Sequence, residues 1–284
     1  MSKYEEILLE KEDGIAILTL NRPAKLNSLN RSIRVEMIEA FEEIELDDSV
    51  RVMILTGAGR AFCAGLDITP GAYTFIDKLE PGPVDSAWQI SSHMRNLTKP
   101  SICAWNGVAG GLGGVYALTC DIIIASEQAS YLVGFTQLGL LPECGLHYLL
   151  PQRVGSHRAF ELLYTSDLID AKEMDRIGLV NRVVPHDELM KTAKELAKRI
   201  MRIPPYTLAL VKQQVYRGID LPDLESEMQY CKILGNNRTE ESIESMAEAR
   251  KAFAEKREPV YKPQYTGGVS LRGLSQPVQK QSGG

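Results

Sequence analysis

One carboxylate, Glu143, stands in the apolar run GLLPECG (residues 139–145), with a glycine at either end. An acid in that setting is a misplaced surface residue, a cap for the helix that follows it, or a base held partly out of water. In the last case apolar surroundings disfavour the charged form and make a better proton shuttle. Upstream lie two glycine-rich turns, AFCAGLDI (61–68) and NGVAGGLGG (106–114). Glycine lets a backbone approach a ligand closely and turn its N–H groups outward. Two such donors aimed at one point form an oxyanion hole, each worth roughly 3–4 kcal/mol in acyl or enolate chemistry. The plainer alternative is a pair of tight turns packing strand on helix, and spacing alone leaves both open.

Other chemistries fit less well. NGVAGGLGG lacks the GK[ST] ending of a phosphate loop, and its GxxGxxG-like spacing is not the GxGxxG of a dinucleotide site. Four scattered histidines and no HExxH or paired Cys/His spacing argue against a metal site. The five cysteines are an odd number without CxxC spacing, which suits free thiols in a reducing compartment. A net charge of -5 with acids and bases interleaved offers no basic patch for nucleic acid or a membrane surface. The charged start MSKYEEILLEKEDG is unlike a signal peptide, and no run reaches a membrane span of ~20 apolar residues. The reading is a soluble, cytoplasmic protein with a small ligand.

The elements that must position these turns follow from periodicity. Apolar runs at 15–20 and 52–55 predict strands around a helix at 31–44, where Ile33, Met37, Ile38, Phe41 and Ile44 recur at helical spacing. A helix at 88–97, a buried strand entering NGVAGGLGG, and the strand in CDIIIAS continue the order. Strand, turn and helix recur to Leu150, which predicts an α/β domain with short parallel strands. Beyond Pro151 helices are expected at 159–164, 171–177 and 187–201, and again from 207 to 257 after the breaker IPP. Amphipathic helices so placed commonly pack on a neighbouring domain or subunit. The segment 70–84, rich in Pro and Gly, is read as a mobile loop whose Tyr73 and Phe75 could cover a substrate chain. The Gly-, Ser- and Gln-rich end is expected to be poorly ordered.

Five motifs in order carry a resemblance: NRPAKLNSLN, GRAFCAGLDI, KPSICAWNGVAGGLGG, CDIIIASEQASY and SDLIDAKEMDRIGLVNRVVP. Together with EARKAFAEKREPVY they resemble the crotonase, or enoyl-CoA hydratase/isomerase, superfamily over roughly residues 4 to 263. The resemblance implies an α/β spiral core of ββα repeats at 1–200, a helical trimerisation region at 201–264 and a tail at 265–284. It implies a homotrimer or dimer of trimers and an acyl-CoA thioester substrate, with no metal, nicotinamide or flavin required. Carried over position by position, the oxyanion donors are the Leu66 and Leu112 amides. The coenzyme A adenine would lie along Ala24, Lys25 and Leu26 and near Ala64. Lys256 would reach a CoA phosphate, from a neighbouring subunit in one arrangement, although either lysine could equally be a solvated surface group.

The chain departs from the family's hydratase pattern at the two positions that matter. Hydratases of the family place one glutamate nine residues after the Asn of NG and a second twenty residues later; here these are Val115 and Phe135, both read as acyl-pocket residues. Neither can move a proton or orient water. Glu143, eight residues past Phe135, resembles the acid after proline in peroxisomal Δ3,Δ2-enoyl-CoA isomerases and ring-epoxide isomerases. The implied activity is an enoyl-CoA isomerase with Glu143 as its one acid–base group, among Leu141, Pro142, Val115 and Phe135. A hydratase, hydrolase or ring-modifying lyase using Glu143 on water is the alternative within the family, and a non-catalytic acyl-CoA-binding protein is the alternative outside it. Asp67 is expected to brace its loop and Asp121 to be a turn residue or a buried hydrogen-bond partner. Cys144 is expected to be inert, and His147 to be a satisfied structural histidine.

Overall fold

A computed structural model of the chain describes residues 3–69, 87–236 and 239–263; the 70–84 segment, with Tyr73 and Phe75, and the tail at 265–284 lie outside the described residues. The chain opens with β1 (Ile7–Glu12), β2 (Ile15–Leu20), α1 (Arg31–Leu46), β3 (Val52–Gly57), β4 (Ala61–Cys63) and α2 (Ala87–Asn96). It continues with β5 (Ser101–Trp105), β6 (Val108–Gly110), α3 (Leu112–Thr119), β7 (Ile122–Ser126), β8 (Ser130–Leu132), α4 (Leu146–Val154) and α5 (Ser156–Thr165). Then come β9 (Ile169–Asp170), α6 (Ala171–Arg176), β10 (Arg182–Val184), α7 (Leu189–Ile200), α8 (Pro205–Asp220), α9 (Leu224–Asn236) and α10 (Glu240–Glu255).

The strands form a six-stranded sheet in the order β1-β2-β3-β5-β7-β10 and a four-stranded sheet in the order β4-β6-β8-β9. Three successive turns, β3-β4-α2, β5-β6-α3 and β7-β8-α4, each give one strand to the large sheet, the next to the small sheet, and then a helix. That is the spiral of ββα units. The pairings within the spiral are parallel, and antiparallel pairs occur where β1 meets β2 and β8 meets β9.

Central strands of the large sheet are mostly apolar because both faces are covered. Alternate residues Ile15, Ile17, Val52, Ile54, Ile102 and Ala104 pack on Leu189, Ala193 and Ala197 of α7. Their neighbours Ala16, Leu18, Met53, Leu55, Cys103 and Trp105 enter the larger core with α1, α2 and α3. The helix α1 starts where Asn30 accepts a hydrogen bond from the Ile33 amide (2.9 Å), and it buries Ile33, Met37, Phe41 and Ile44 as its spacing predicts.

Two boundaries differ from the sequence reading. Pro151 does not begin the helical half: it sits inside α4, which has already started and closes through a Gly155 amide bond to the Pro151 carbonyl (2.9 Å). In so short a helix the proline removes only one main-chain donor. The continuous pattern at 207–257 is three helices, with Thr239 capping the third through the Ser242 amide (3.2 Å). Among the described residues no helix is long and apolar enough to cross a membrane.

A buried polar cluster fastens α8 to the core. The Asp121 carboxylate accepts from the Ser101 amide (2.7 Å) and the Tyr216 hydroxyl (2.6 Å), and pairs with Lys212 (3.0 Å). Outside that clasp Val211, Val215, Leu224, Met228 and Phe253 leave α8, α9 and α10 with exposed apolar side chains.

Candidate active site

The two glycine turns are brought together by β4 and β6, which pair in parallel with Cys63 opposite Ala109. Gly65 is in the left-handed region (φ +92), and a Cβ there would lie 2.6 Å from the Gly110 carbonyl oxygen and 3.6 Å from the Leu112 nitrogen. Only a residue without a side chain lets the turns touch in this way. Around Leu66 the amides are committed: Ala64 donates to the Leu26 carbonyl (2.9 Å), Asp67 donates to that of Leu29 (3.1 Å), and Gly65 hydrogen-bonds the Cys63 thiol. Among the described residues the Leu66 amide donates to no backbone carbonyl.

Leu112 is the first residue of α3, so its N–H is one of the helix donors with no partner inside the helix. The partial positive charge of the helix start adds to it. A Cβ on Gly113 would lie 2.0 Å from the Cys63 carbonyl oxygen, so α3 rests directly on the strand that leads to Leu66. Among the described residues, then, neither the Leu66 nor the Leu112 amide donates to a backbone carbonyl, and the two stand on adjoining turns.

Val115 is wholly buried in α3 and Phe135 is nearly so. The Phe135 ring lies 3.6 Å from where a Cβ of Gly111 would stand, at the turn that carries Leu112. Buried apolar side chains therefore stand at the two positions where the resemblance would place a hydratase's acids.

Glu143 is exposed, and Leu141 beside it is 80% exposed. The enclosure by apolar residues expected from GLLPECG is not formed by the described residues. The reason lies in the turn: Cys144 (φ 56) and Gly145 (φ 94) both take left-handed backbone, and Leu140 and Cys144 are the residues that pack inward. The helix-cap alternative fails too, because the N-cap of α4 is Gly145, with no side-chain cap bond. The Cys144 thiol is pushed up to about 12, first by burial and then by the neighbouring Glu143 carboxylate, which leaves it inert as a nucleophile at neutral pH. His147 is exposed rather than buried, its Nδ1 lying 3.3 Å from the Pro142 carbonyl.

Of the residues assigned to coenzyme A, Ala24 and Lys25 are exposed, Leu26 is half-buried, and the Ala64–Leu26 bond joins that segment to the first glycine turn. Lys256 stands exposed at the end of α10 in left-handed backbone (φ 53).

The supports of the site include residues that periodicity does not reveal. Asp67 receives the Thr69 hydroxyl (2.6 Å) and the Arg22 guanidinium (3.1 Å), and these bonds hold its carboxyl below the usual range. Asn27, fully buried, donates to the carbonyls of Ala58 (2.9 Å) and Ala61 (2.8 Å). Asn106 accepts from the Gly57 amide (3.1 Å) and donates to the Gly59 carbonyl (2.9 Å). A buried amide that neither charge nor period explains is the one signal that could have marked them.

Comparison with known proteins agrees with this fold. Residues 10–264 match the family model "Enoyl-CoA hydratase/isomerase". The chain is 35% identical over 273 residues to the 1,2-epoxyphenylacetyl-CoA isomerase of Escherichia coli K12, covering 93% of this chain and 99% of that one. It is 38% identical over 258 residues to the short-chain-enoyl-CoA hydratase of Clostridium acetobutylicum, covering 90% and 97%. The crystal structure of a monofunctional enoyl CoA isomerase from M. smegmatis superposes with a TM-score of 0.69 at 37% identity, covering 79% of this chain and 98% of that one. The relatives carry both activities in their names, and the chain belongs to the enoyl-CoA hydratase/isomerase family.

Proposed function

We propose that this protein is an enoyl-CoA isomerase that moves a double bond through a dienolate, with Glu143 as its single acid–base group. The observation that supports this reading is the pairing of buried Val115 and Phe135, where two glutamates would serve a hydratase, with one carboxylate at Glu143. Shifting C3=C4 to C2=C3 needs only one base, which takes a proton from C2 and returns it at C4 on the same face. Between those steps negative charge gathers on the thioester oxygen. The Leu66 and Leu112 amides meet that charge, and they bind it more strongly than the ground-state carbonyl.

The thioester arrives along Ala24, Lys25, Leu26 and Ala64, and Lys256 of a neighbouring copy supplies a phosphate contact in a trimer built on α8, α9 and α10. No metal or redox cofactor enters the reaction as proposed. One observation favours a second reading: Glu143 is exposed, and an acid open to solvent could activate water for hydration or hydrolysis.

The deciding experiment follows 2-enoyl, 3-enoyl and cyclic acyl-CoA thioesters in deuterated water. Isomerisation gives deuterium at C2 and C4 and conversion of the 3-enoyl substrate, lost on Glu143→Gln. Faster turnover of crotonyl-CoA to the hydroxyacyl product supports the hydratase instead. Binding without turnover supports a non-catalytic role.

A further inference from the structure

We infer that Tyr131 is a positioning residue for the Leu112 amide, its ring setting the depth at which α3 seats on the small sheet. The inference rests on the oxyanion role proposed above for Leu112. Tyr131 lies on β8 and is fully buried. A Cβ on Gly114 would stand 2.0 Å from its Cε2 and 2.4 Å from its Cζ, so the ring fills the space beneath the first turn of α3. The ring also meets Trp105 edge-on at 5.6 Å, and Trp105 meets Phe62 at 5.8 Å. Trp105 is fixed in turn by its Nε1 bond to the Gly107 carbonyl (2.8 Å).

Phe62 is in β4, the strand that leads into the Leu66 turn. One row of buried rings therefore runs from the strand that leads to one donor to the helix that carries the other. Close-packed rings transmit displacement rather than absorb it, so the gap between the two amides depends on the width of that row. The Tyr131 hydroxyl is buried and has no hydrogen-bond partner among the described residues. The position of the ring is thus set by packing, and phenylalanine should serve in its place.

The test uses the full-length protein and a saturated acyl-CoA labelled with 13C at the thioester carbonyl. Its carbonyl stretch, read by infrared difference spectroscopy, reports oxyanion-hole polarisation without any turnover. Tyr131→Leu is expected to reduce the shift and to lower kcat on a 3-enoyl-CoA by about ten- to hundredfold, with KM nearly unchanged. Tyr131→Phe is expected to restore both. Should Tyr131→Leu fold poorly, Gly114→Ala raises the helix from the other side, and combining the two is expected to recover part of the lost shift. A wild-type carbonyl shift in a folded Tyr131→Leu or Gly114→Ala variant overturns the inference. No shift in the unmodified protein overturns the oxyanion reading itself.

Discussion

The Leu66 and Leu112 amides lie where main chain packs directly on main chain, whereas Glu143 stands exposed on a turn that Leu140 and Cys144 tie to the core. The donors are located by strand register, by left-handed Gly65, and by the contact of α3 with the Cys63 carbonyl. None of these constraints reads a side chain at the donor positions. The acid is different: the backbone of its turn is set by Cys144 and Gly145, and position 143 itself buries little. On the proposed mechanism, a fold built in this way would keep the stabilisation of an enolate constant while the acid–base groups vary around it. Relatives of similar identity carry isomerase and hydratase names.

The comparison breaks most sharply at Gly65. In Gly65→Ala the new Cβ would stand 2.6 Å from the Gly110 oxygen at φ +92, so the turns must separate. Activity on the preferred thioester is expected to fall at least ~100-fold, as for the loss of an oxyanion donor. Thermal unfolding should also come earlier, because left-handed backbone costs a non-glycine residue roughly 1–2 kcal/mol. Loss of stability with full kcat would show that the donors lie elsewhere. Glu143→Gln makes the opposite separation. Its kcat should fall by about 10²–10⁴, the usual worth of a general base. Its melting temperature should hardly move, since exposed substitutions usually stay within about 0.5 kcal/mol.

A third region serves as the control for both. Lys212→Met leaves Asp121 with its Ser101 and Tyr216 bonds but removes the buried ammonium 3.0 Å away. Breaking such a pair costs about 3–5 kcal/mol, and urea unfolding should show it. The carbonyl shift of a bound thioester should stay at its wild-type value, because the clasp's hydrogen bonds and ion pair among the described residues go to Ser101, Met94, Lys99, Tyr216 and Lys212 rather than to either glycine turn. A parallel loss of that shift would mean that the oxyanion turns are not independent of α8.

Much of this frame is legible in the sequence because it depends on main-chain freedom and apolar periodicity. The helix at α1 and the two glycine turns each declare themselves within a few residues. The exposure of Glu143 does not, since the apolar letters of GLLPECG point to enclosure and the left-handed pair at Cys144 and Gly145 turns the acid outward. Equally hidden is the two-sheet division of the strands, where Phe62, Trp105 and Tyr131, far apart in sequence, meet in one row. The brace of Arg22 on Asp67 joins residues 45 apart, and no local pattern can encode it. Local rules fix conformation; the pairing of distant segments decides which side chains share a site.

The smallest expected effect probes the Glu143 turn most directly. Cys144 is half-buried beside the acid, and burial together with the Glu143 carboxylate pushes its thiol up to about 12, against the opposing charge of Arg34. Alkylation by iodoacetamide requires the thiolate, so at pH 8 modification of Cys144 should be slow and should quicken as the pH rises toward that value. Glu143→Gln keeps the burial and removes the adjacent negative charge. The thiol should then ionise at lower pH, and Cys144 should label several-fold faster at pH 8, as read by mass spectrometry of the modified peptide. Cys63, Cys103 and Cys120 are buried and provide the internal reference. An unchanged rate would place the Glu143 carboxylate away from Cys144 and remove the turn geometry on which the proton-shuttle reading depends.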